Sequence, residues 1–278
     1  MAALRPDGAD TASTQARSAS VQLLLRHERR VVMAALGIVA ALAWAYTLSG
    51  ATGMAPMAEE GMAMADMAMR HLPWSLTTAL LMFAMWWVMM IAMMLPSAAP
   101  VVLLFAAINR RRNGPPDVFV PTGVFVAGYL AMWAGFSLIA TLAQWGLDVV
   151  GLLSQSMAVG SARVGGAFLL AAGVYQLSPV KKACLRHCQN PVMFISRHWR
   201  PGAGGAFRMG VEHGAYCLGC CWFLMALLFF GGIMNLFWIA GLTLYVAAEK
   251  MIRRSQWVAY SAGVVFAASG ALIVIRTF

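Results

Sequence analysis

The chain is poor in charged side chains. Of its 278 residues only 11% are charged and 61% are hydrophobic, whereas soluble globular proteins carry about 25% charged residues. Acidic residues are the scarcest, with 10 Asp and Glu against 20 Lys and Arg. So little charge cannot cover a soluble surface, and so much apolar sequence argues against disorder. The composition therefore predicts an integral membrane protein.

Sequence motifs of energised pumps and hydrolases are also missing. The chain has no Walker-type phosphate-binding loop, no nucleophile elbow around a serine and no HExxH zinc-protease motif. These absences favour a protein that is not an enzyme.

Seven apolar runs have the length of a membrane helix or approach it. A bilayer span takes about 20 mostly apolar residues. The runs cover roughly residues 31–49, 75–95, 118–147, 161–177, 214–233, 235–248 and 257–275. We predict an all-α fold, a polytopic membrane helix bundle of about seven transmembrane helices. The run at 235–248 is short for a full span, so residues 214–249 could instead form a re-entrant hairpin.

Positive charges alternate between the segments that connect these runs. All but three of the 20 Lys and Arg residues lie in the N-terminal arm or after the second, fourth and sixth runs. The exceptions are Arg70, Arg163 and Arg276. Because cytoplasmic loops are enriched in Lys and Arg, we expect a multi-pass membrane protein with a cytoplasmic N-terminus. The basic excess then reflects orientation, and no nucleic-acid partner is expected.

The domain organisation follows from the same pattern. Residues 1–25 have a composition rich in small and polar residues without apolar periodicity, which predicts a disordered cytoplasmic arm. Residues 26–278 are predicted to form a single transmembrane domain. At the end of the sixth run, Glu249 and Lys250 are expected to pair or to extend towards the interface. Small residues allow close helix packing in lipid, and we expect it at Gly128, Gly135, Gly165, Gly166 and Gly173.

Methionine is concentrated in the loop at residues 54–71, which the topology places outside. The loop reads MAPMAEEGMAMADMAMRH. Thioether sulfur suits Cu(I), and unlike a thiol it forms no disulfide in an oxidising compartment. The loop is therefore predicted to capture Cu(I). An Ala/Met-biased loop without a role is the alternative.

A second group of methionines lies in the second apolar run. Met82, Met85, Met89 and Met93 are spaced by three, four and four residues, so they share one helical face. This face predicts a stripe of sulfur atoms that leads towards the cytoplasmic end, with Met85, Met89 and Met93 as candidate ligands. Packing alone would also explain it, because methionine is a flexible apolar filler.

The five cysteines form two groups, both in the part predicted to be cytoplasmic, where thiols stay reduced. One group has the pattern C-x-x-H-C, and the other is C-x-x-C-C with a histidine one turn earlier. On a helix the second group shares one face. Thiolates and imidazoles together suit Cu(I) or Zn(II), whereas the alternative is that the cysteines are packed at helix contacts. The candidate ligands are Cys184, His187, Cys188, His213, Cys217, Cys220 and Cys221.

Three long stretches carry a family resemblance. They are WWVMMIAMMLPSAAP (86–100), YQLSPVKKACLRHC (175–188) and GAYCLGCCWFLMALLFFGGIMNLFWIAGL (214–242), followed by AAEK (247–250). They resemble a bacterial family of predicted metal-binding integral membrane proteins, defined by a domain of unknown function, over roughly residues 75–275. The positions that match are the seven cysteines and histidines above, together with Met89, Met90, Met93, Met94 and Pro96. The resemblance implies that the protein binds a metal and that it lies in a bacterial inner (cytoplasmic) membrane. It implies neither a particular metal nor a reaction.

One main hypothesis and two alternatives follow. In the main hypothesis the protein binds a soft transition metal, Cu(I) before Zn(II), and takes part in its transport or delivery to a metal chaperone or a membrane enzyme. The ion would pass from the outer loop along the methionine face to the cysteines, from weaker to stronger sulfur ligands. The alternatives are an assembly or scaffold subunit with structural cysteines and a membrane thiol oxidoreductase.

Overall fold

The computed structural model describes residues 29–49, 74–113, 119–153, 158–252 and 255–277. Within these ranges the fold is all-α, as predicted, apart from one isolated bridge between Leu153 and Val159. The predicted disordered arm (1–25) and the methionine-rich loop (54–71) lie outside the described residues. Both interpretations therefore stay predictions.

Every one of the seven apolar runs is helical over most of its length. In the described ranges, two short helices lie between the fourth and fifth runs, and a third short helix forms the end of the fifth run. In chain order the helices are α1 (Arg29–Ser49), α2 (Leu76–Asn113), α3 (Phe119–Val149), α4 (Ala162–Leu177), α5 (Pro179–Gln189), α6 (Pro191–His198), α7 (Gly202–Ala226), α8 (Leu228–Gly231), α9 (Leu236–Met251) and α10 (Ser255–Arg276). Among the described helices, five are long and apolar enough to cross a membrane: Arg29–Ser49, Leu76–Arg112, Val120–Val149, Gly202–Gly231 and Trp257–Arg276. The bundle is therefore compatible with membrane insertion.

The segment between the fourth and fifth runs is more ordered than a loop. α5 begins at Pro179, where the missing N–H costs nothing at the first helical position, and the Ser178 side chain accepts a hydrogen bond from the backbone N–H of Lys181. Pro191 likewise occupies the first position of α6, although the Asn190 side chain before it makes no capping hydrogen bond. This local chemistry places the C-x-x-H-C motif on a short amphipathic helix.

Two helix boundaries differ from the apolar runs. α2 continues through Pro96 and Pro100 to Asn113, well beyond the end of the second apolar run at residue 95. α7 begins at Gly202, earlier than the predicted start at 214. Residues 202–213 were missed because they contain glycine and charge, and the Pro201 cap before Gly202 (φ 76°) makes no side-chain hydrogen bond that would mark the helix start.

Glycine brings α3 and α7 into close contact. A Cβ atom at Gly128 would overlap the carbonyl oxygen of Phe207, and one at Gly210 would overlap that of Phe125. α4 and α10 meet in the same manner, since Gly173 lies against the backbone of Ala267. The expected close packing is confirmed at Gly128, Gly165, Gly166 and Gly173, whereas Gly135 faces open space.

Candidate metal centre

The central face of α7 carries four of the predicted ligands. His213, Cys217, Cys220 and Cys221 are all buried, with at most 2% of each residue exposed. The prediction that they share one face of a helix is therefore confirmed. Because α7 begins at Gly202, these residues lie well inside the helix and not at its start.

α5 brings the first cysteine group onto this face. The thiol of Cys188 is close enough to interact with the thiols of both Cys217 and Cys220. Cys184 packs over Gly219, where a Cβ atom would lie 2.7 Å from its Sγ atom. Burial raises the pKa of the Cys184 thiol. Two motifs that are distant in the sequence thus meet in space.

A methionine of α2 completes this group of sulfur atoms. The Sδ atom of Met94 lies 3.9 Å from the Sγ atom of Cys221. We refer to Met94, Cys188, Cys217, Cys220 and Cys221 as the sulfur cluster. Met94 was not among the three predicted methionine ligands, although it lies in a stretch that carries the family resemblance.

The predicted ligands Met85, Met89 and Met93 are buried in the same apolar core as the sulfur cluster. On α2 they occupy the helical face that the spacing predicts. At the start of this face, Met82 accepts a hydrogen bond from Gln144 at 3.6 Å. These positions are consistent with both a copper path and simple packing.

A buried lysine contacts the sulfur cluster. The Nζ atom of Lys250 lies 3.0 Å from Cys217 Sγ, 3.7 Å from Met94 Sδ and 3.0 Å from Ser97 Oγ. The hydroxyl group of Tyr129 lies 3.2 Å from Cys217 Sγ. A buried ammonium group requires a counter-charge, and the Sγ atom of Cys217, which would supply it as a thiolate, lies against this group.

The expected pairing of Glu249 with Lys250 is wrong. Glu249 instead forms an ion pair with Lys181 of α5 at 2.7 Å, and both side chains are only 1% exposed. Consecutive helical residues point about 100° apart, so the two charges at the end of α9 reach different neighbours. Neither extends to an interface, because both find partners inside the bundle.

The two histidines have different surroundings. His213 is enclosed by the rings of Phe125, Tyr129 and Phe194, and its buried Nδ1 atom has no hydrogen-bond partner. An unpaired buried nitrogen is costly unless another group uses it. His187 stacks on Tyr216 at 4.0 Å between ring centroids, and its Nδ1 atom bonds to the backbone of α5. His213 is thus the histidine with an unused buried ring nitrogen.

The cluster is not arranged as a finished metal site. Within the described ranges, no three or more His, Cys, Asp or Glu side chains are grouped so that they could hold an ion. The thiols of Cys220 and Cys221 each donate to the carbonyl oxygen of Cys217 at 3.0 Å. Rotation about the Cα–Cβ bonds would release both sulfur atoms. The arrangement therefore supplies soft donors that are close together but hydrogen-bonded to the backbone.

Comparison with known proteins adds one clear match. The family model named PpoB2 and described as a copper chaperone matches residues 83–273, close to the range in which the sequence carries its family resemblance. No curated protein and no solved structure matches the chain. The matched range contains the whole sulfur cluster, Lys250 and the helices that position them. The chain belongs to the PpoB2 family of copper chaperones.

Proposed function

We propose that this protein is a membrane copper chaperone that holds Cu(I) on the sulfur cluster and passes it to a partner protein. The observation that carries the proposal is the proximity of the half-buried Cys188 to the buried Cys217 and Cys220, beside the thioether of Met94. Thiolate and thioether sulfur are soft ligands that select Cu(I) over hard cations. Membership of a copper-chaperone family points to the same cargo, with Zn(II) as the alternative ion.

The ligands of this proposal fall into three groups. Thiolates from Cys188, Cys217, Cys220 and Cys221 form the strong site. His213 adds an imidazole nitrogen that has no partner in the apo protein, while Cys184 and His187 lie on the α5 side, where copper would enter or leave. The thioethers of Met85, Met89 and Met93 line the route along α2.

The charge of Lys250 suits a site that must release its cargo. When copper is absent, the ammonium group of Lys250 lies 3.0 Å from Cys217 Sγ and so offsets the negative charge of a thiolate. A bound Cu(I) ion would have to displace this group. After copper leaves, the Lys250 ammonium group replaces the positive charge of the ion next to the thiolate, which lowers the free energy required to release the metal.

The same proposal includes seven membrane helices, a cytoplasmic N-terminus and a single transmembrane domain over residues 26–278 in a bacterial inner membrane. Contacts between helix ends support this topology, because segments predicted to lie on one side touch each other. On the predicted cytoplasmic side the contacts are Arg112 with Trp199 and Lys182 with Tyr260, and on the outer side they are Trp74 with Asp148 and Arg163 with Thr277.

A second candidate is an assembly or scaffold subunit whose cysteines are structural. The hydrogen bonds from Cys220 and Cys221 to the Cys217 carbonyl favour it, because thiols in helices commonly satisfy themselves in this way. In that case the cysteines pack helices together and bind no ion.

Elemental analysis of the purified full-length protein distinguishes the two candidates. We expect copper to remain bound in the wild type and to be lost in a Cys217→Ser/Cys220→Ser variant. Ser137→Ala changes a buried hydroxyl of α3 that bonds within its own helix, and it should keep the metal. Copper and zinc contents that are the same in the cysteine variant as in the wild type would refute the copper site and favour the scaffold.

A further inference from the structure

We propose that Glu249 is the positioning residue of the α5 thiols: it holds α5 so that Cys188 faces the cysteines of α7. The inference rests on the proposed function for the identity of the cargo. It goes beyond that function, because it assigns a role to a carboxylate that touches no sulfur atom.

The first argument is the face of α5 that carries the contacts. Lys181, Cys184 and Cys188 are spaced by three and four residues, so they share one side of the helix. Lys181 Nζ reaches both carboxylate oxygens of Glu249, at 2.7 Å and 2.9 Å. The helix face that presents the thiols is thus the face that the ion pair holds.

The second argument is that α5 is attached to Glu249 near both of its ends. Lys181 lies in the first turn of α5, and Gln189 is its last residue. The side-chain amide of Gln189 donates to the backbone carbonyl of Glu249 at 2.8 Å. The two attachments bracket Cys184 and Cys188, so they limit both sliding and rotation of the helix.

The third argument is that the carboxylate itself is fixed. Tyr245 donates to Glu249 Oε1 at 2.6 Å and Gln176 donates to the same atom at 2.9 Å. A buried ion pair is stable when further hydrogen bonds satisfy its remaining lone pairs, and loss of one partner leaves an uncompensated charge. Removal of the carboxylate charge should therefore release α5 from this position.

The fourth argument is the neighbour of Glu249 in the sequence. Lys250 contacts Cys217 of α7 and Ser97 of α2, while Glu249 holds α5. A single turn of α9 is therefore bonded directly to Cys217 through Lys250 and, through Glu249, to α5, the helix that carries Cys188. This connection fixes the distance between the α5 thiol and the α7 thiols.

The test measures Cu(I) binding by the full-length protein in detergent. Cu(I) affinity is determined by competition with a chromophoric Cu(I) chelator, and the number of sulfur ligands by X-ray absorption. We expect Glu249→Gln and Lys181→Leu to weaken binding by about tenfold or more and to lose one sulfur ligand. Asp148→Asn is the matched control, because Asp148 lies near the C-terminal end of α3 and accepts a hydrogen bond from Trp74. This variant should bind Cu(I) as tightly as the wild type does.

Comparison with Cys188→Ser separates positioning from general damage. Cys188→Ser should lose the same sulfur ligand, and Glu249→Gln/Cys188→Ser should bind no more weakly than either single variant. The charge reversal Lys181→Glu/Glu249→Lys should restore most of the affinity that either exchange alone removes. If Glu249→Gln does not fold, Tyr245→Phe removes one hydrogen bond from the carboxylate and should give a smaller loss in the same direction.

The outcomes distinguish this inference from the proposed function. A wild-type protein that binds no Cu(I) would overturn the copper site itself. Wild-type affinity in Glu249→Gln, alongside weaker binding in Cys188→Ser, would overturn the positioning role alone. The same holds if the losses of affinity in Glu249→Gln and Cys188→Ser add up in the double variant, because the carboxylate would then act independently of that thiol.

Discussion

Replacing Met94 with leucine should separate copper binding from packing at the centre of the core. Met94 is fully buried, and its Sδ atom lies 3.9 Å from Cys221 Sγ. A Met-to-Leu exchange nearly conserves volume and costs less than about 1.5 kcal/mol of folding free energy. For a protein of this size that corresponds to a fall of less than about 6 °C in Tm. If Met94 contributes only to packing, the Cu(I) affinity of the protein should not change.

If Met94 is a copper ligand, its replacement should lower the Cu(I) affinity more than it lowers the folding stability. Changes in the partners of a metal site typically cost 10–100-fold in affinity, or about 1.4–2.8 kcal/mol. Met94→Leu should therefore weaken Cu(I) binding in competition with a chelator while the Tm of the metal-free protein falls little. Met90→Leu is the matched control, because Met90 is equally buried one turn earlier on α2. Equal Cu(I) affinities for the two variants would refute the assignment of Met94 to the sulfur cluster.

Three further predictions concern folding and cargo. Gly210→Ala places a Cβ atom against the Phe125 carbonyl and should lower the free energy of unfolding by about 1–3 kcal/mol. Gly135→Ala, which places its Cβ atom in open space, should raise the free energy of unfolding by up to about 1 kcal/mol. Equal effects of the two variants on thermal unfolding would contradict the close contact of α3 and α7. Lys250→Met and Cys217→Ser should each destabilise the metal-free protein, and a double-mutant cycle should give a coupling of about 0.5–3 kcal/mol; strict additivity would argue against their contact. Cu(I) at 100 times its Kd should stabilise the wild type by about 2.7 kcal/mol, and removal of copper by a chelator should reverse the shift in Tm.

Apolarity alone located the long apolar helices in the described part of the chain, but not α5 and α6. Each apolar run coincides with a described helix, because a segment that must be shielded from water has few alternatives to a helix when it is this long. Helix starts were harder to predict. Residues 202–213 contain four glycines and two charged residues, so their helical structure is stabilised by packing on α3, a contact that no local pattern reveals.

The candidate site was predicted in part. Helical periodicity identified the buried face of His213, Cys217, Cys220 and Cys221, since these contacts depend on one helix alone. Periodicity gave no information on which neighbours face that helix. The contacts of Lys250 with Cys217 and of Glu249 with Lys181 depend on the relative positions of three helices, α5, α7 and α9. The opposite charges of Glu249 and Lys250 suggested that these two neighbours pair with each other, but consecutive side chains of a helix point about 100° apart.

The glycine contacts between α3 and α7 have a mechanical consequence for copper transfer. Backbones that touch through Gly128 and Gly210 have no side chains between them to rearrange, so these two helices behave as one rigid wall that carries Cys217, Cys220 and Cys221. α5 is held differently, through the long side chains of Lys181 and Gln189. We therefore expect α5 to move when the ion enters or leaves the site, while α3 and α7 keep their relative positions.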